Sequence, residues 1–127
     1  MIWIKKIIKV LIGVVIVYIL SVILFVLTPD INDYLNRTDF NSSEWINWEE
    51  TESTLDERWN MVNDLVNNYE MKGKSVSQIK ELLGEPSLVS NNEISYNLGV
   101  TGHGINYGTL SLKLRNGIVI GFDIWQV

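Results

Sequence analysis

The apolar residues set the divisions of this chain. From Ile7 to Leu27 nearly every position is apolar, and no polar face alternates with them. Val10 to Leu27 carries no charge over eighteen residues, which at ~1.5 Å per helical residue is about 27 Å, close to the thickness of a bilayer core. A stretch that is apolar all round and lies near the N-terminus predicts a transmembrane helix over residues 7–27, not a buried core helix. Secretory signals have shorter apolar runs and end in a small-x-small site. Leu20 to Leu27 offers only Ser21 as a small residue, so the segment is expected to stay as an anchor. Thr28-Pro29 is expected to end the helix.

Beyond the span the rhythm changes three times. Residues 29–57 are rich in Asp, Glu, Asn, Ser and Thr and show no sustained period, the pattern of an acidic tether or irregular lead-in. Phe40, Trp45, Ile46 and Trp48 interrupt it, and such residues are expected to pack onto the domain that follows. From Glu57 to Tyr69 the apolar residues Trp59, Val62, Leu65, Val66 and Tyr69 recur at helical spacing. A second helix starts at Ser75, which with Gln78 makes a capping box. It carries Val76, Ile79, Leu82 and Leu83 on one stripe and stops at Gly84-Glu85-Pro86.

Strand periods follow. Ile94, Tyr96 and Leu98 alternate with polar residues, as do Leu110, Leu112 and Leu114. In the last strand Ile118, Ile120, Phe122 and Ile124 form one alternating set, and Asn116-Gly117 marks the hairpin before it. A two-residue loop would set Arg115 and Lys113 against that apolar set. A three-residue loop, Arg115-Asn116-Gly117, pairs Leu114 with Ile118, Leu112 with Ile120 and Leu110 with Phe122, and is expected here. The fold class is therefore α+β. A two-layer α-α-β-β-β domain over 58–127, with a three-stranded antiparallel meander, follows the anchor (1–28) and the lead-in (29–57). Its core is expected to include Leu82, Leu83, Leu112, Ile120 and Phe122.

Charge narrows the classes of partner. Past Thr28 there are seven Lys/Arg against fifteen Asp/Glu, a net charge of −8, which disfavours nucleic acid. Lys5, Lys6 and Lys9 precede the span, whereas Arg37 is the only basic residue in the thirty that follow it. The positive-inside rule then places the domain outside the cytoplasm. The chain has no cysteine, which removes disulfides, thiolate metal sites, cysteine nucleophiles and a lipidation cysteine together.

The remaining polar motifs are weak as chemistry. His103 is the only histidine, within the glycine-rich stretch Val100–Gly108, and has neither a second nitrogen donor nor a carboxylate at a telling spacing. Gly102-x-Gly104-x-x-x-Gly108 lies between strands, not at the opening of a helix, so it is no dinucleotide loop. Gly73-Lys74-Ser75 has Asn68 where a phosphate loop needs glycine. The acidic run Glu49, Glu50, Glu52, Asp56 and Glu57 lacks the order of a calcium loop and reads as a solvated surface. Asn36-Arg37-Thr38 and Asn41-Ser42-Ser43 match the glycosylation triplet, as chance allows in an Asn-rich chain. No catalytic, metal or cofactor site is expected. Tyr107 and Trp125 are the residues expected to anchor a partner. For Trp125 the alternative is cover by the Trp45–Trp48 lead-in.

Arg58-Trp59-x-Met61-Val62-x-Asp64-Leu65, then Gly73-x-Ser75-x-x-x-Ile79-x-x-Leu82-Leu83-Gly84-x-Pro86, then Tyr96-x-Leu98-Gly99 and a closing hairpin resemble the SmpA/OmlA, BamE-like family over roughly 58–127. The resemblance implies a small extracytoplasmic α-α-β-β-β domain with a binding role. The best-known members are outer-membrane lipoproteins that support β-barrel assembly. This chain departs from them in having an apolar anchor and no lipidation cysteine. The function expected is a membrane-tethered interaction or structural domain of the cell envelope, not an enzyme, with another envelope protein as partner. An inhibitor or immunity-type protein that blocks an enzyme is the alternative.

Overall fold

The computed structural model describes residues 1–102 and 104–127, with Pro29 described by its backbone alone. His103, the chain's only histidine, lies outside the described residues. The chain is α+β: a long apolar helix leads into helices packed on one face of a four-stranded antiparallel sheet.

Helix α1 runs from Ile2 to Leu35. Its stretch Ile2–Thr28 is long and apolar enough to cross a membrane, and none of it is buried in the protein. The helix does not stop at Thr28-Pro29 as expected. A proline removes one backbone donor, here the partner of the Phe25 carbonyl, and the ladder resumes beyond it. The Thr28 hydroxyl donates to the Leu24 carbonyl at 2.5 Å, and the extra turns are held by tertiary contacts of Asp33 described below.

The lead-in runs along α3 (Glu57–Asn68). Thr38 N–H donates to the Asn60 carbonyl at 3.0 Å, and Phe40 N–H to Asp64 Oδ2 at 2.7 Å. That bond and a second from the Asn68 amide hold the Asp64 carboxyl below its ordinary pKa. The short helix α2 (Ser42–Ile46) is capped by Asn41, whose side chain accepts from Glu44 N–H. Phe40 and Trp45 enter the core, edge to face at 5.7 Å. The stretch that reads as a polar tether thus supplies two core aromatics.

Helix α4 (Val76–Leu83) forms behind the expected capping box: Ser75 Oγ accepts from Gln78 N–H and Gln78 Oε1 from Ser75 N–H. Gly84 follows at φ +75°. The sheet is ordered β1-β2-β3-β4, with β1 Leu88–Val89, β2 Glu93–Val100, β3 Tyr107–Arg115 and β4 Ile118–Gln126. The meander therefore has a fourth strand, β1, two residues long and paired with Ser95 and Ile94. So short a pairing leaves no period to read.

The last hairpin corrects the expected register. Its loop has two residues, Asn116 and Gly117, both at positive φ (+52° and +75°), as a type I′ turn requires. Arg115 pairs with Ile118 and Leu114 with Val119; a β-bulge then shifts the phase, so that Lys113 pairs with Gly121, Leu112 with Phe122 and Leu110 with Ile124. The bulge removes the conflict that argued for a longer loop. Arg115 and Lys113 stay on the outer face while Val119 turns inward and is buried. Ile120 and Phe122, expected in the core, remain 39% and 43% exposed. Leu83 and Leu112 are fully buried as expected, and Leu82 packs against the core from its margin.

Candidate interaction surfaces

Three features stand out from the closed core. The first is a trough between α3 and β4. Helix α3 packs on β2, inboard of the sheet's edge, so the helix-facing side of β4 is only partly covered. One half of the trough is lined by Val66, Met71, Val119 and Phe122 together with the charged Glu70 and Lys72. The other is lined by Trp59, Val62, Val66 and Ile124 and closed by Asp33 and Arg37 of the α1 end. Val66 lines both halves. Along the outer rim of β4 the chain already bonds the turn that precedes α4. Gly73 N–H donates to the Val119 carbonyl at 2.8 Å and Val119 N–H to the Lys74 carbonyl at 2.9 Å. Beyond Val119, among the described residues, no backbone bond covers that rim.

The second is the outer face of the sheet. Tyr107 exchanges backbone bonds with Val127 and Thr109 pairs with Trp125, so Tyr107 and Trp125 are diagonal neighbours on one face. They are 46% and 47% exposed. Trp125 Nε1 donates to Ser111 Oγ at 3.1 Å, Ser111 Oγ lies 3.2 Å from Ser95 Oγ, and Ser95 donates to Glu93 Oε1 at 3.3 Å. The lead-in does not cover Trp125. Trp45 and Trp48 sit around Arg58 on the helix side instead. Lys113 and Asp123 form an exposed ion pair at 2.7 Å across the same face, and that bond raises the lysine's pKa.

The third is the junction between α1 and the domain. Asp33 Oδ1 accepts a hydrogen bond from Trp59 Nε1. Trp59 lies on Gly108 so closely that a Cβ there would meet its Cε3 at 2.5 Å. Asp33 also abuts Gly102, where a Cβ would come within 2.6 Å of Oδ1. One carboxylate in the last turns of α1 thus meets both the helix layer and the loop between β2 and β3.

Arg58 fixes the lead-in from beneath. It is 9% exposed, with Nε and Nη2 donating to the Trp45 carbonyl at 3.0 and 2.8 Å and Nη1 to the Asn97 carbonyl at 3.0 Å. Its guanidinium lies 5.1 Å from the ring centre of Trp45 and 4.8 Å from that of Trp48. Burial lowers its pKa from the ordinary arginine value. Burial also pushes the Tyr96 hydroxyl up to about 12, with Glu85 adding to the rise and Arg58 opposing it. That hydroxyl donates to the Gly84 carbonyl at 2.9 Å. These two groups hold elements together, and neither faces an open site.

Among the described residues no group of three or more His, Asp or Glu is placed to hold a metal ion. The structure brings Tyr107 and Trp125 together as one surface. The trough and the Asp33 junction were not anticipated. Phe122 and Ile124 were visible as an alternating set, but that pattern does not say whether a strand lies inside a sheet or at its edge. The chain matches no known protein family, no curated protein and no solved structure.

Proposed function

We propose that α1 is a retained single-pass anchor, and that the domain beyond it stands outside the cytoplasm as a non-catalytic interaction module of the cell envelope. The orientation rests on Lys5, Lys6 and Lys9 before the span against the single Arg37 in the thirty residues after it. The partner is another envelope protein, which lays an extended segment along β4. The observation that carries this reading is the trough: an apolar floor of Val66, Phe122 and Ile124 beside a strand rim that already pairs with Gly73–Ser75 at its start. A segment added there gains main-chain bonds for affinity and alternate pockets for specificity. The resemblance to the SmpA/OmlA family is in line with the same reading: the order α3-α4-β1-β2-β3-β4 contains the α-α-β-β-β order it implies, with the short β1 added.

A photo-reactive amino acid at Phe122 tests the proposal in intact membranes. A discrete crosslinked adduct is expected, lost when Ile124→Glu closes the trough to apolar chain, and missing from the same probe at exposed Glu81. If the Phe122 probe traps nothing, or traps the same species as Glu81 regardless of Ile124→Glu, the trough is not the binding surface.

A further inference from the structure

The end of the sheet beside α1 differs in composition from the rest of the domain. Asp33 lies five residues past Thr28, where the apolar span ends, a rise of ~7.5 Å along the helix. The headgroup layer on each side of a bilayer is roughly 5–8 Å thick. Gly102 is in contact with Asp33, so a span ending at Thr28 would set Gly102 near the outer limit of the headgroups. Ile105 follows three residues later, no more than ~10 Å of chain away. It is 88% exposed. Tyr107 lies two residues further on, and Tyr107 and Trp125, each about half exposed, are neighbours on the outer face of the same sheet end.

Charge is sparse along both strands that lead to this end. From Ile94 to Leu112, nineteen consecutive residues contain no Asp, Glu, Lys or Arg, and neither does Ile124–Gln126. Asp33 is the acidic side chain that meets this end, and its carboxylate is taken up by the Trp59 N–H. The Trp125 N–H is already satisfied by Ser111, so its ring can lose water without stranding a donor. Indole and phenol rings favour the interfacial layer, where one edge stays wet and the body is shielded.

We propose that this end of the sheet rests on the bilayer that α1 spans, with Ile105 at the headgroup–acyl boundary and Tyr107 and Trp125 among the headgroups. The inference depends on the anchor reading of α1. It assigns the aromatic pair to lipid and leaves the β4 trough to the protein partner.

Because the chain is free of cysteine, single labelling sites can be introduced cleanly. The full chain, labelled with an environment-sensitive nitrobenzoxadiazole at Val17→Cys, Ile105→Cys, Tyr107→Cys or Leu88→Cys, is placed in phosphatidylcholine vesicles carrying doxyl-phosphatidylcholine. Labels at Val17, Ile105 and Tyr107 should be quenched by the doxyl lipid, with blue-shifted emission. The label at Leu88, exposed at the opposite end of the sheet, should answer only to aqueous iodide. A Val17 label untouched by doxyl lipid overturns the anchor and this proposal together. With Val17 quenched, labels at 105 and 107 that behave like the one at 88 overturn the proposal alone. So does shielding from iodide without doxyl quenching, which would mean cover by protein.

Discussion

Arg58 shows how a charge is held where water barely reaches. Instead of a carboxylate it meets two main-chain carbonyls and two indole faces, and the planar fork satisfies three of its donors at once. The carbonyls of Trp45 and Asn97 depend on it in return. Arg58→Met would leave them short of donors at ~1–3 kcal/mol each, so a loss of about 3 kcal/mol is expected in denaturant unfolding of the full chain in micelles. Arg58→Lys should recover less than half, because a point charge cannot fork between carbonyls and stack on both rings. A Met variant within ~1 kcal/mol of the parent would show that the residue is a passenger. Gly99 is the other position where one atom decides. It sits at φ +76°, and a Cβ there would lie 2.0 Å from the Leu55 carbonyl oxygen that accepts from Val100 N–H. Only glycine lets the lead-in come so close to β2.

At the scale of elements, the β3–β4 hairpin decides which residues hold the sheet to the helices. Val119, not Ile118 or Ile120, faces the core, and its backbone also pairs with Gly73 and Lys74. Val119→Thr should therefore destabilise by at least ~1 kcal/mol more than Ile120→Thr, by burying a hydroxyl where packing was apolar. Equal losses in thermal unfolding would restore the three-residue loop. The two α helices of the domain were legible because caps and 3.6-residue spacing are local: Ser75, Gln78 and Gly84 announce α4 before any tertiary contact exists. The strands were legible for the same reason. Their phase was not, since one extra residue at the bulge turns Val119 inward in place of Ile118 and Ile120 without altering the alternation in the sequence. Phe122 stays part-exposed because β4 is the edge of the sheet. The lead-in was misleading in the opposite sense. Its polar composition concealed Phe40 and Trp45, whose burial depends on Arg58 and Asp64 far along the chain. For the candidate site, Tyr107 and Trp125 could be picked out singly. Their shared face, and the open trough along β4, needed the strand order.

For the whole molecule, the relation between the proposed anchor and the domain matters most. A domain on a slack tether would sample all orientations above the bilayer, and neither the trough nor the uncharged sheet end would have a defined height. Here α1 continues as helix to Leu35, and Asp33 bonds Trp59 while touching Gly102, so helix and sheet meet at one joint. Trp59→Phe keeps an aromatic ring on Gly108 but removes the N–H that Asp33 accepts. A hydrogen bond to a carboxylate contributes ~1.5–3 kcal/mol, and at a partly exposed site the lower end applies. The domain should therefore stay folded, with only a modest shift in its unfolding midpoint, while the joint loosens. Nitroxides at Val26→Cys and Asn92→Cys, read by pulsed electron spin resonance in nanodiscs, report this directly. A narrow distance distribution in the parent should broaden in Trp59→Phe. A distribution already broad in the parent, or one the substitution leaves unchanged, would mean that the domain's height and tilt are set by something other than this joint.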